Sequence, residues 1–210
     1  MPDKKNGMMF VMSSPSGAGK TTLTKKLAKN NTNFKISISH TTRLPRPNEI
    51  NGQDYHFVSK NQFDELIKGD NFFEYAKIFD NWYGTLKAPV LKLLSDNIDV
   101  LFDIDWQGTQ QLKRNSRLNS LTIFVLPPNI KTLKERLLNR HEGQEKIIEN
   151  RMKKFNEEVS HWNEYDYVVI NDNLEVCYNK ILDIITSAKR GIIKKKNSDE
   201  IQKKINELTK

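Results

Sequence analysis

A length of 210 residues suits one domain with small inserted subdomains and is enough chain to bury a sizeable core. The formal net charge of +8 leaves nucleic acid, a membrane surface and small polyanions open as partners. No apolar run nears the ~18 residues of a membrane span, Met1 to Gly7 has no signal-peptide pattern, and the lone Cys177 excludes an internal disulfide, so a reducing cytosol is the expected compartment.

Taken in chain order, apolar segments alternate between strand and helix character, which predicts an α/β fold with a parallel sheet. Met8 to Ser14 reads as a strand and Lys20 to Asn30 as a helix with Leu23 and Leu27 on one face. Residues 37–89 break the rhythm with prolines, short aromatic strands (Asp54 to Val58, Phe72 to Phe79) and a helix near Gln62 to Lys68, and read as an insertion packed beside the main sheet. Asp99 to Asp105 is a strand ending in acid. Leu121 to Leu126 is another, closed by Pro127 and Pro128, and Ile130 to Arg140 is a helix. A second insertion is expected near Arg140 to Arg151, then a last strand, Tyr167 to Ile170, and a long helix from about Leu174. From Lys189 to Lys210 there are eight basic against three acidic residues, a net of +5 that includes Lys194, Lys195 and Lys196. The plain reading of that tail is a solvated amphipathic helix or frayed end. Its lysines are not interleaved with aromatics and no nucleic-acid motif is present.

Ser14-Pro15-Ser16-Gly17-Ala18-Gly19-Lys20-Thr21 follows the first strand and opens the first helix, the context a P-loop requires. Gly17 and Gly19 let backbone amides turn toward a phosphate, and the helix N-terminus adds its positive dipole end. Lys20 can reach β- and γ-phosphates and the Thr21 hydroxyl can coordinate magnesium. Ser14 stands where the general pattern has glycine. Asp103 and Asp105, at a strand's carboxyl end, fall where a parallel sheet gathers its ligand crevice. At least one of them can hold the metal directly or through water, with ordinary strand-end polarity as the alternative.

A second cluster follows. Arg43 and Arg46 sit three apart on a loop stiffened by Pro45 and Pro47, and arginine forks match phosphate oxygens. Glu74 lies between Phe73 and Tyr75, and a carboxylate there needs a partner. Guanine, unlike adenine, offers a ring N–H and an exocyclic amine on one edge. Tyr83 and Thr85 flank Gly84 and add two hydroxyls. Farther on, Arg136 and Arg140 share a helix face, and Arg151 sits among Ile147, Ile148, Met152 and Phe155, an odd place for a solvated arginine. Such cations could meet the charge of a transferring phosphoryl group. His40, His56, His141 and His161 show no metal-ligand spacing.

These runs, with Gly52-Gln53-Asp54-Tyr55, Asp103-Ile104-Asp105-Trp106-Gln107-Gly108 and Val169-Ile170-Asn171-Asp172, resemble the bacterial guanylate kinases from about Met8 to about Arg190. The resemblance implies a P-loop doubly wound parallel sheet with an inserted GMP-binding region and a lid. It implies phosphoryl transfer from ATP, with Mg²⁺, to GMP. Core residues are then 1–36, 90–139 and 157–190, the GMP-binding insertion is 37–89, the lid is 140–156, and 191–210 is the basic tail. ATP would be held by Ser14 to Thr22 and Asn171. Arg43, Arg46, Tyr55 and Tyr83 would hold the GMP phosphate, while Ser39, Glu74, Thr85 and Asp105 read the base. Lys20, Arg43, Arg136, Arg140 and Arg151 would be the catalytic cations, with Thr21 and Asp103 at the metal. Thr85 replaces a frequent serine, and His141 stands where glycine is common, with Gly143 two residues on. A guanylate-kinase-like binding module and a sugar-phosphate kinase are the rival readings. The intact cradle and arginines weigh against the first, and Glu74 with Ser39 and Asp105 against the second. No nucleic acid or membrane partner is expected, and homo-oligomerisation stays open.

Overall fold

Runs of apolar residues too short for helices have to be buried on both faces, and a parallel sheet between helix layers provides that. The computed structural model describes residues 6–114, 119–140, 145–192 and 198–210, leaving aside the side chain of Arg140. Among them, β1 (Met9–Ser13), β2 (Phe34–Ile36), β7 (Asp99–Asp103), β8 (Ser120–Leu126) and β9 (Tyr167–Ile170) pair in parallel in the order β2-β7-β1-β8-β9. Alternate residues of β1 go to opposite faces. Phe10 and Met12 pack with Leu23 and Leu27 of α1 (Lys20–Asn30) and with Ile181 and Ile185 of α7 (Leu174–Lys189). Met9 and Val11 pack with Val90 of α3 (Lys87–Ser95) and Leu112 of α4 (Trp106–Arg114).

The insertion forms a second sheet, β4-β3-β6-β5, from β3 (His40–Thr41), β4 (His56–Phe57), β5 (Phe72–Ile78) and β6 (Asn81–Leu86). α2 (Lys60–Lys68) starts earlier than its apolar pattern suggests because Ser59 and Gln62 form a reciprocal capping box. The strand expected from Asp54 to Val58 shrinks to two residues, since the Asp54 carboxylate accepts the Ile50 N–H at 3.0 Å and folds the segment before it into a turn. The strand expected to reach Asp105 stops at Asp103. Beyond it the Asp105 carboxylate accepts the Gly108 N–H at 2.9 Å and caps α4. The two sheets are joined by Gln111 of α4, whose amide donates to Tyr75 O at 2.7 Å and accepts Tyr75 N–H at 3.1 Å, as a neighbouring strand would.

α5 (Ile130–Arg140) and α6 (Glu145–Ser160) flank residues 141–144, so the expected hinge residues His141 and Gly143 lie outside the described residues, as do Lys194, Lys195 and Lys196. α6 is one long helix. Phe155 and Val159 in its second half join Phe124, Leu126, Leu133 and Leu137 in a third apolar cluster. At its far end His161 stacks on Trp106, rings 3.7 Å apart.

The tail departs from its plain reading. α8 (Ser198–Leu208) buries Ile201, Ile205 and Leu208 in the cluster that holds α5 and α6, so it is a packed helix and not a solvated end. No described helix is long and apolar enough to cross a membrane. Ile205→Ala should therefore cost roughly 2–4 kcal/mol, the range for emptying a buried aliphatic site, and lower Tm by about 5–15 °C for a chain of this size. An unchanged melting curve would return the helix to solvent.

Candidate active site

β1 runs into a loop that only glycine can complete at two points. Gly17 and Gly19 have φ of 89° and 98°, and a Cβ on Gly19 would stand 2.3 Å from Asn171 Nδ2. Ser14 is not among the positive-φ residues, so a serine is tolerated there without backbone strain. The loop is braced from behind. Asn171 Nδ2 donates to Ala18 O at 2.8 Å, and Arg136 donates to Ala18 O and Asn171 O at 3.4 and 3.2 Å. The i,i+4 neighbour of Arg136, Arg140, has no described side chain, so the expectation for it stays outside the described residues. Lys20 pairs with Asp103 and donates to Ile104 O at 2.8 Å, which lays its ammonium along the cleft floor.

Ser16 is gripped from α6 at both ends. Arg151 donates to its hydroxyl, and its N–H donates to Glu158 Oε2 at 3.1 Å. Burial pushes the Glu158 carboxyl up to about 7, against the pull of the Ser16 N–H, Arg151 and Lys20. Sequence reasoning missed Glu158. Its signal was the seven-residue spacing from Arg151, which puts both on one helix face.

On the facing wall Glu49, also missed, organises both arginines. Arg43 donates to its Oε1 at 2.9 Å, Arg46 Nη1 lies 3.7 Å from the same oxygen, and the Arg46 N–H donates to Oε2 at 2.7 Å. Burial alone would raise the Glu49 pKa, but Arg43 and Arg46 hold it below the usual range. The Arg43 guanidinium also lies over the Tyr55 and Phe57 rings, 5.3 and 5.7 Å from their centroids, and Tyr55 meets Tyr83 edge-on.

Glu74 is 3% exposed, and its environment is not set by its neighbours in sequence. Phe73 packs toward the core and Tyr75 toward Phe72 and Trp82. A Cβ on Gly108 would stand 2.5 Å from Glu74 Oε2, so glycine alone leaves room for the carboxylate. Its Oε1 is buried without a hydrogen-bond partner. Burial, with a smaller push from Asp105, raises its carboxyl to about 7 against the pull of Thr85 and Lys20. Ser39 and Thr85 share a hydroxyl contact of 3.2 Å beside it.

These walls enclose one cleft of about 510 Å³. It is lined by Ser14 to Gly17, Gly19 to Thr22, Asp103, Asp105, Arg136, Arg151 and Asn171 on the loop side, and by Ser39, Arg43, Arg46, Tyr55, Glu74 and Tyr83 on the other. Of the residues singled out, Ala18 and Thr85 lie buried behind the lining. Phe79 and Glu158 line it unforeseen. His40 and His56 stack with ring centroids 4.5 Å apart, and no group of three or more potential metal ligands occurs among the described residues.

A glycine-bent loop with its lysine laid against a strand-end carboxylate, facing arginines across one cleft, is the working part of a P-loop phosphotransferase. The guanylate kinase family model matches residues 6–188. The guanylate kinase of Rickettsia felis is 48% identical over 187 residues, 89% of this chain and 97% of that protein. That of Paramagnetospirillum magneticum is 48% identical over 171 residues, 81% of this chain and 80% of that one. The crystal structure of guanylate kinase from Anaplasma phagocytophilum superposes with a TM-score of 0.74 at 31% identity, over 88% of this chain and 87% of that one. The chain belongs to the guanylate kinase family.

Raised carboxyl pKa values have a stability signature. Between the unfolded value of 4.5 and the folded value near 7, the native state holds protons that the unfolded chain has released. Stability should thus fall as pH rises through that window. Carbon-detected NMR of labelled glutamate should show two carboxyls with midpoints near 7, one lost in Glu74→Gln and the other in Glu158→Gln. Midpoints near 4.5 for both would overturn the burial argument.

Proposed function

We propose that this chain is an ATP:GMP phosphotransferase whose cleft divides into an ATP side and a GMP side. The observation that carries this is the buried Glu74 carboxylate, with Oε1 unbonded, in the same cleft as the P-loop. A carboxylate held out of water needs N–H donors, and guanine's ring N–H and exocyclic amine supply two side by side. Ser39, Thr85 and Asp105 complete the base-reading group, and Arg43, Arg46, Tyr55 and Tyr83 take the GMP phosphate.

On the ATP side, Ser14 to Thr22 and Asn171 hold the nucleotide, and Lys20 moves between Asp103 and the β- and γ-oxygens. An oxygen of the GMP phosphate attacks the γ-phosphorus as the bond to the β–γ bridging oxygen breaks, giving GDP and ADP. Positioning and charge stabilisation supply the catalysis, and no protein nucleophile is needed. Arg43, Arg136, Arg140 and Arg151 are the cations assigned to the transferred group. Mg²⁺ bound with ATP would neutralise charge on the phosphate oxygens. The Thr21 hydroxyl and the Asp103 carboxylate are hard oxygen donors that suit an ion keeping most of its shell for water and phosphate. Residues 1–36, 90–139 and 157–190 form the core in this reading, 37–89 the GMP-binding region, 140–156 the lid and 191–210 the tail. A cytoplasmic setting suits the buried, unpaired Cys177.

An ADP-release assay with GMP, AMP and ribose 5-phosphate tests the reading directly. ADP should form rapidly with GMP alone, and comparable rates with a ribose phosphate would refute it. Lys20→Ala should stay folded and lose several orders of magnitude in turnover; more than about a tenth of wild-type turnover would contradict its role. Glu74→Gln turns an acceptor into a donor facing guanine's N–H edge. At ~1–3 kcal/mol for an unmet buried donor, kcat/KM for GMP should fall roughly tenfold or more while ATP binding is spared. Equal loss for both substrates would mean that the base sits elsewhere.

A further inference from the structure

β5 and β6 are joined by a two-residue turn, Phe79-Asp80, since Ile78 pairs with Asn81. Phe79 has φ of 54°, at a position where such turns favour glycine or asparagine. A bulky aromatic there is strained, and a strained residue that persists at a cleft calls for a reason in its contacts. Burial in a core is not that reason, because Phe79 is 38% exposed and belongs to none of the three apolar clusters. Its contacts are with α6. Lys154 Nζ lies 4.4 Å and the Arg151 guanidinium carbon 5.8 Å from the ring centroid. The tip of the second sheet therefore touches the helix on the other side of the cleft, and Arg151 lies between this ring and the Ser16 hydroxyl of the P-loop.

We propose that Phe79 is a positioning residue for Arg151, clasping the GMP-binding sheet to α6 so that the guanidinium is held over the P-loop. This rests on the reading of Arg151 as a cation for the transferring phosphoryl group. An arginine on a flexible stem loses rotamer entropy whenever it engages. An aromatic face restrains it through the ring quadrupole and leaves its N–H donors for oxygen partners. Because ring and guanidinium come from opposite walls, the contact forms only when the walls are at the right separation. That makes the placement of Arg151 depend on the wall that holds the acceptor.

Phe79→Gly separates this role from a structural one, because glycine accepts the turn's backbone while removing the ring. The experiment measures kcat, both KM values and Tm for Phe79→Gly, Phe79→Tyr, Arg151→Ala and the Phe79→Gly/Arg151→Ala pair. Phe79→Gly should lower kcat about three- to thirtyfold, the span expected for a cation–π contact. Its KM values should stay within about twofold and its Tm should hold or rise, as for an interaction made mainly in the transition state. Phe79→Tyr keeps the ring face and should retain most of kcat. In the Arg151→Ala background Phe79→Gly should add no further loss, the mark of two residues acting as one. Undiminished kcat in Phe79→Gly, a fall in Tm with a general rise in KM, an equally impaired Phe79→Tyr, or additive losses in the double variant would each overturn the proposal. If Arg151→Ala turns over like wild type, the assignment of Arg151 itself fails. If Arg151→Ala is impaired and Phe79→Gly is not, only the clasp fails.

Discussion

The parallel pairing of β1 with β7, in the register that sets Met12 opposite Asp103, is the constraint on which the site hangs. Parallel strands bring their carboxyl ends to one edge, so the loop leaving β1 emerges beside the acid that ends β7. Lys20, at the start of α1, reaches Asp103 and Ile104 O across that edge. The same edge supplies the loop's other brace, since β9 ends in Ile170 and the next residue, Asn171, donates its backbone N–H to Leu126 O and its amide to Ala18 O. A one-residue slip of β7 would turn Asp103 to the other face and leave Lys20 without it. A slip would also exchange Leu101, packed in the layer of α1 and α7, with Val100 and Phe102, packed in the layer of α3 and α4, and so disturb two close-packed layers at once.

The second sheet has no register with the first and is tied to it by side chains. α4 provides the tie. Asp105 caps it, Gly108 makes room for the Glu74 carboxylate, and Gln111 grips both backbone groups of Tyr75. One short helix thus relates the end of β7 to the strand that bears Glu74. Residues at one edge of α4, three and six positions apart, set the distance between the phosphate cradle and the buried carboxylate.

What the sequence made legible follows the range of each interaction. The cradle could be read because strand, glycines, lysine and hydroxyl are contiguous, and its glycine requirement is local. Strands β1, β7, β8 and β9 announced themselves by apolar runs, interrupted only by Thr122 in β8. β3 is two residues long and α4 is largely polar, so no periodicity could reveal them, whereas β4 is legible only as a longer strand than the two residues that pair. Glu49 and Glu158 stand out less for another reason, although the seven-residue spacing from Arg151 marks Glu158 faintly. Each lies in a polar run and acquires its role through a partner folded against it, Arg43 and Arg46 for one, Ser16 for the other. Glu74 was picked out, but on the ground of aromatic neighbours that in fact point elsewhere; Gly108, distant in sequence, sets its surroundings. In the tail a net charge of +5 masks an Ile201-Ile205-Leu208 stripe at helical spacing.

Glu49 has a physical logic that its charge alone would obscure. A carboxylate beside two arginines reduces the positive potential that attracts a phosphate. It also fixes two long side chains, each of which would otherwise lose rotamer entropy on meeting a ligand. The hydrogen bonds show how the balance is struck. Arg43 uses one terminal nitrogen for Glu49 and the other for Leu44 O at 2.6 Å, while its Nε is buried with no partner. Arg46 stays farther from Glu49 in its side chain, at 3.7 Å, and binds it mainly through its backbone N–H. Glu49 therefore organises the loop through the Arg43 guanidinium on one side and the main chain of Arg46 on the other. On the proposed reading, a phosphate in this cleft would meet an Arg43 side chain whose direction is set before the ligand arrives, so less rotamer entropy is lost on binding.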